Sequence, residues 1–112
     1  MTNSLKDDKN MQPVLDKITS LIAIGEVDDA ARLAEKHGLL DRAIELYRKA
    51  SDFRSVGRLY EQQENLKEAM QAYERGKIFG EAARIADKLG EKRKAERLYT
   101  LYQKQEHPRY NR

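Results

Sequence analysis

The sequence predicts an all-α chain, an α-solenoid of three short helical hairpins over residues 26–103 preceded by a packing helix at about 13–24. Three observations predict it. Apolar residues recur in gapless blocks of thirteen, and the blocks alternate in type, so that the full unit is 26 residues. The composition agrees: hydrophobic residues are 39% and charged residues 37%, with two prolines, no Trp and no Cys. That balance suits thin apolar stripes beneath densely charged helix faces. A chain of 112 residues holds one domain or one compact repeat array.

Residues 1–12 are polar and read as a flexible N-terminus. Pro13 then suits the first turn of a helix, and Val14, Ile18, Leu21 and Ile22 follow at helical spacing until Gly25. From Glu26 the blocks read EVDDAARLAEKHG, LLDRAIELYRKAS, DFRSVGRLYEQQE, NLKEAMQAYERGK, IFGEAARIADKLG and EKRKAERLYTLYQ. Apolar residues at the second, fifth, eighth and ninth positions form one stripe on a helix of 3.6 residues per turn. Each block is therefore a short helix and its turn. Gly38 and Gly90 close blocks where a left-handed residue is needed, and Asp52 and Asn65 open blocks as N-caps. About ten helical residues per block are too few to stand alone in water, so stacking must stabilise them. The longer period appears as AARLA, VGRLY and AARIA in the odd blocks against AIELY, AMQAY and AERLY in the even ones. Arg32, Arg58 and Arg84 recur in the first helices, and Tyr47, Tyr73 and Tyr99 in the second. Residues 104–112 read as a C-terminal tail, where Pro108 stops any helix.

One hairpin carries a resemblance. Phe53, Val56, Gly57, Tyr60, then Asn65 and Leu66 at a turn, then Ala69, Tyr73 and Gly76 resemble the tetratricopeptide order of large, small, aromatic, turn, Ala, aromatic. The same register covers residues 26–103, as repeats 26–51, 52–77 and 78–103. Tetratricopeptide units repeat every 34 residues, whereas these repeat every 26 and lack the closing proline, which makes them similar also to the short hairpins of the clathrin heavy chain and coatomer. The resemblance implies a right-handed solenoid whose first helices line a concave groove. It places Arg32, Arg58 and Arg84 in that groove as a ladder for an acidic or C-terminal-carboxylate peptide. A competing reading uses the carboxylate three residues after each arginine, Glu35, Glu61 and Asp87, to make the column a set of i,i+3 or inter-repeat ion pairs.

Other candidates are fewer. Tyr47, Tyr60, Tyr73 and Tyr99 are packing residues in this register, with base stacking as the alternative. Leu101 and Tyr102, in a last helix with no following repeat, point to self-association or an unseen neighbour, with an exposed aromatic at a chain end as the alternative. The even blocks hold ten cations and six anions, the odd blocks six and nine, so the second helices form the more basic face. A net charge of +3 with both signs interspersed is weak evidence for nucleic acid. Chemistry is poorly supported: His37 and His107 are isolated, there is no Cys, and no phosphate loop or metal-ligand spacing occurs. Asp28 and Asp29 at a helix start complement its dipole. No window has about 18 apolar residues, and MTNSLKDDKN lacks an apolar signal region, so no membrane insertion and a cytoplasmic setting are expected. The function expected is a non-catalytic protein-protein interaction scaffold with no cofactor and no metal. A nucleic-acid-binding repeat module or a self-assembling homo-oligomeric subunit is the alternative.

Overall fold

The computed structural model describes the backbone of residues 3–107 and the side chains of residues 11–107. The described residues form seven helices and no strand: α1 (Asn3–Ala23), α2 (Val27–Lys36), α3 (Leu40–Lys49), α4 (Phe53–Gln62), α5 (Leu66–Arg75), α6 (Phe79–Lys88) and α7 (Lys92–Glu106). No helix is long and apolar enough to cross a membrane.

One turn, used six times, sets the thirteen-residue period. Its left-handed residue is Gly25 (φ 85°), Gly38 (77°), Ser51 (59°), Glu64 (61°), Lys77 (58°) and Gly90 (80°). The amide of that residue donates to the carbonyl three residues back at all six turns, and at five of them, all but the Ser51 turn, the next amide donates to the carbonyl five residues back. Gly38 to Glu35 (3.0 Å) with Leu39 to Ala34 (2.9 Å), and Lys77 to Glu74 (3.0 Å) with Ile78 to Tyr73 (2.8 Å), are two instances. This is the Schellman pattern, which satisfies the last carbonyls of each helix. The residue after the left-handed one is already the N-cap of the next helix, with φ between −84° and −96° at all six turns. Asp52 caps with its side chain, accepting from the Ser55 amide at 3.2 Å. Asn65, expected to do the same, makes no such bond; its carboxamide donates to Gln63 Oε1 instead, at 3.5 Å.

Helix α1 begins ten residues before Pro13 rather than at it. The polar stretch contains Lys, Met and Gln, which favour helix, and the helix continues through Pro13 although an interior proline removes one backbone donor and crowds the carbonyl four residues back. At the other end α7 runs to Glu106, past residue 103, and stops at His107, the residue before Pro108, whose φ of −131° is extended. Residues 1–2 and 108–112 of the expected termini lie outside the described residues.

The chain divides into two compact units, Met1–Ser51 and Asp52–Arg112. In the first, α2 packs against both α1 and α3. Half of its buried residues are small, Ala30, Ala31, Ala34 and Ala43, with Ile18, Ile44, Leu46 and Tyr47 filling the spaces beside them. In the second, α5 packs against α4 and α6, and α6 against α7. Its core joins Ala69, Met70 and Tyr73 of α5 to Ala82, Ala83, Ile85 and Ala86 of α6 and to Ala95 and Leu98 of α7. Small side chains let helix axes approach, and the larger ones interlock beside them. Gly57 is the tightest point: a Cβ there would lie 2.5 Å from the Tyr73 ring.

Candidate functional site

The structure gives two members of the arginine column local carboxylate partners. Arg32, exposed on α2, bonds back along its own helix to Asp29 (2.5 Å) and Asp28 (3.3 Å). Its pKa is raised, first by the Asp29 hydrogen bond. Glu35, its expected partner, instead accepts the Tyr47 hydroxyl at 2.8 Å. Arg84 on α6 turns back to Glu81 (2.6 Å) and across to Glu61 of α4 (2.9 Å), not forward to Asp87. Arg58 lies on α4, half-buried.

Glu61 is the centre of a polar knot joining three helices. It accepts the Tyr73 hydroxyl of α5 at 3.0 Å and the Arg84 guanidinium of α6 at 2.9 Å. The Arg84 bond is the main reason its carboxyl sits below the usual range. Glu61 and then Glu81 hold the Arg84 pKa well above its ordinary value. Burial, followed by the bond to Glu61, pushes the Tyr73 phenol up to about 12. The Tyr47–Glu35 bond repeats this clasp 26 residues earlier. Both carboxylate neighbours of Arg84 belong to the protein, so its charge is consumed internally.

Tyr99 departs from its two counterparts. Tyr47 and Tyr73 are 2% and 3% exposed, but Tyr99 is 43% exposed. Helix α6 covers Tyr73, whereas no helix follows α7 among the described residues. In place of Glu35 and Glu61 the third hairpin also carries Asp87, one methylene shorter.

Tyr99 lines an open cleft of about 740 Å³ on the second unit. One wall comes from α7, through Tyr99, Tyr102, Gln105 and Glu106; the floor is the first turn of α6, Phe79–Gly80–Glu81. The α5–α6 turn contributes Lys77, and the start of α4 contributes Arg54. The Tyr102 ring lies against Gly80, where a Cβ would be 3.1 Å from it. Gln105 donates to the Lys77 carbonyl at 2.9 Å and ties α7 to the turn. The cleft brings Arg84 and Tyr102, named separately from the sequence, into one lining, and separates Tyr102 from Leu101, which lies on α7 outside it. Arg54, Lys77 and Gly80 were not anticipated. Lys77 is the last residue of its block and nothing local marks Arg54.

The carboxylates of Glu26, Asp28 and Asp29 lie within 4.8 Å of one another at the start of α2. Arg32 engages two of them, and they face the helix dipole, so their proximity has a structural cause. The chain matches no protein-family model, no curated protein and no solved structure.

Proposed function

We propose that this chain is a non-catalytic protein-binding module whose partner docks in the cleft of the Asp52–Arg112 unit. The observation that carries the reading is Tyr99. Its counterpart Tyr73 is an internal clasp at 3% exposure, yet Tyr99 stands 43% exposed beside Tyr102 in a concavity. Exposed tyrosines in a depression supply rigid contact area with a polar end, the feature that makes them frequent anchors of protein interfaces. In this reading residues 26–103 are a tetratricopeptide-like array, a right-handed solenoid of hairpins 26–51, 52–77 and 78–103. The identical turn at each thirteenth residue and the repeated Tyr–Glu bond support it. The groove ladder of Arg32, Arg58 and Arg84 is the weaker site, because Arg32 and Arg84 already hold carboxylates of the chain. A photo-crosslinking residue at position 99 should trap a partner that the same residue at position 67, on exposed Lys67 of α5, does not. Equal trapping at both positions would refute the cleft.

A second reading has one observation in its favour: α7 carries five cations and two anions, so a nucleic acid would meet its basic face. Binding of a single-stranded oligonucleotide that weakens steeply with added salt would support it.

A further inference from the structure

We infer that the partner segment is acidic: its carboxylates meet Arg54 and Lys77, while an adjacent apolar or aromatic side chain lies against Tyr99 and Tyr102. This rests on the binding-module reading and adds the partner's chemistry to it. Among the described residues the side chains of Arg54, Lys77, Tyr99 and Tyr102 make no hydrogen bond or ion pair. Two cations and two phenolic hydroxyls therefore present unused donors to one cleft.

The remaining charges narrow the choice. Arg84 is shared between Glu61 and Glu81, a trio with one net negative charge, so neither its guanidinium nor the Glu81 carboxylate is without a partner. Glu106 is then the one lining anion without a partner among the described residues, against two such cations. Helix α7, which forms a wall, adds a local excess of positive charge. Ionised carboxylates only accept hydrogen bonds, so they match a lining rich in donors. A nucleic acid matches it less well. Its continuous row of phosphates needs a run of cations, and here it would meet Glu81 and Glu106. A peptide can set an apolar side chain on the two tyrosine rings between its carboxylates, which a row of phosphates cannot. A volume of about 740 Å³ suits a short segment.

The probe is the peptide 5-carboxyfluorescein-Gly-Glu-Glu-Phe-Glu-Glu-Leu-Asp-Glu-amide, and its counterpart with every acid replaced by its amide. Binding is followed by anisotropy, and its location by the amide NMR signals of Gly76 and Gly80, both in the lining. The acidic peptide should bind at least about tenfold more tightly than the neutral one, and shift both glycine signals. Arg54→Gln with Lys77→Gln should weaken it about tenfold. Lys92→Gln with Arg93→Gln, an equal charge change on α7 outside the lining, should weaken it less than about threefold. Equal loss in the two double variants would reduce the effect to general electrostatics and overturn the proposal. Equal binding of both peptides, with the glycine shifts retained, would remove the acidic class and leave the binding module standing. If neither peptide binds, both readings fall. Displacement of the acidic peptide by a lower concentration of oligodeoxythymidine would assign the cleft to nucleic acid.

Discussion

Replacing Glu64 and Lys77 by glycine should stabilise the Asp52–Arg112 unit. Both residues sit at the left-handed position of their turns, with φ of 61° and 58°, and both side chains are exposed. A non-glycine residue in that conformation is strained by about 1–2 kcal/mol. Glycine removes the strain but loses about 0.5–1 kcal/mol more in chain entropy on folding. The net gain is about 0.5–1 kcal/mol per site, or about 1–2 kcal/mol for both. For a domain of this size each kcal/mol shifts the midpoint by about 4–8 °C, so the double variant should melt roughly 4–16 °C higher. Gly90→Ala is the mirror experiment. Gly90 has φ 80° and no atom within 4 Å of an added Cβ, so any loss is backbone strain alone, about 1 kcal/mol. Thermal and urea unfolding followed by circular dichroism read both variants. A double variant that melts lower than wild type, or a Gly90→Ala variant that loses nothing, would refute the account of the turn. Lys77→Gly also removes a cleft cation, so it should raise stability while weakening the acidic peptide.

Tyr73→Ala should cost about 3–5 kcal/mol in urea unfolding as a buried aromatic, while Tyr73→Phe, which keeps the ring and loses one bond to a carboxylate, should cost about 1 kcal/mol. Gly57→Ala drives a Cβ into the Tyr73 ring and should destabilise by about 1–3 kcal/mol; a neutral result would contradict the packing at that point. By ultraviolet difference spectroscopy one phenol, absent in Tyr73→Phe, should ionise at about 12. Because its folded pKa is raised, Tyr73's contribution is complete below the ordinary 10.0 and is lost as pH climbs through about 12. Glu61 has the opposite sign: its folded pKa is lowered, so its contribution is present above the ordinary 4.5 and disappears as pH falls through the folded value. Glu61→Gln should therefore flatten the acid side of the stability profile, and an unchanged slope would count against the Glu61–Arg84 bond.

The sequence by itself determined whatever depends on neighbours along the chain. Apolar residues three and four apart must share a helix face, so the short helices were legible without coordinates. So were the turns at Gly38 and Gly90 and the cap at Asp52, since glycine's missing Cβ and aspartate's short carboxylate act within one turn. Tyr47 and Tyr73 could be named as packing residues because their stripe has to be covered. Ser51, Glu64 and Lys77 could not be read as left-handed from their own identities. At Glu64 and Lys77 the helices packed on either side of the turn impose that conformation on residues that disfavour it. Tertiary structure alone decided the arginine column: Arg84 chooses Glu61, 23 residues away, because the packing of α4, α5 and α6 brings that carboxylate within reach. It also decided the cleft. Leu101 and Tyr102 are adjacent in sequence, but successive helical residues point in different directions, so only Tyr102 reaches Gly80. Arg54, Lys77 and Tyr99 come from three separate elements. Local preference acts over a few bonds, whereas a cleft is made by side chains whose only relation is the packing of the helices that carry them.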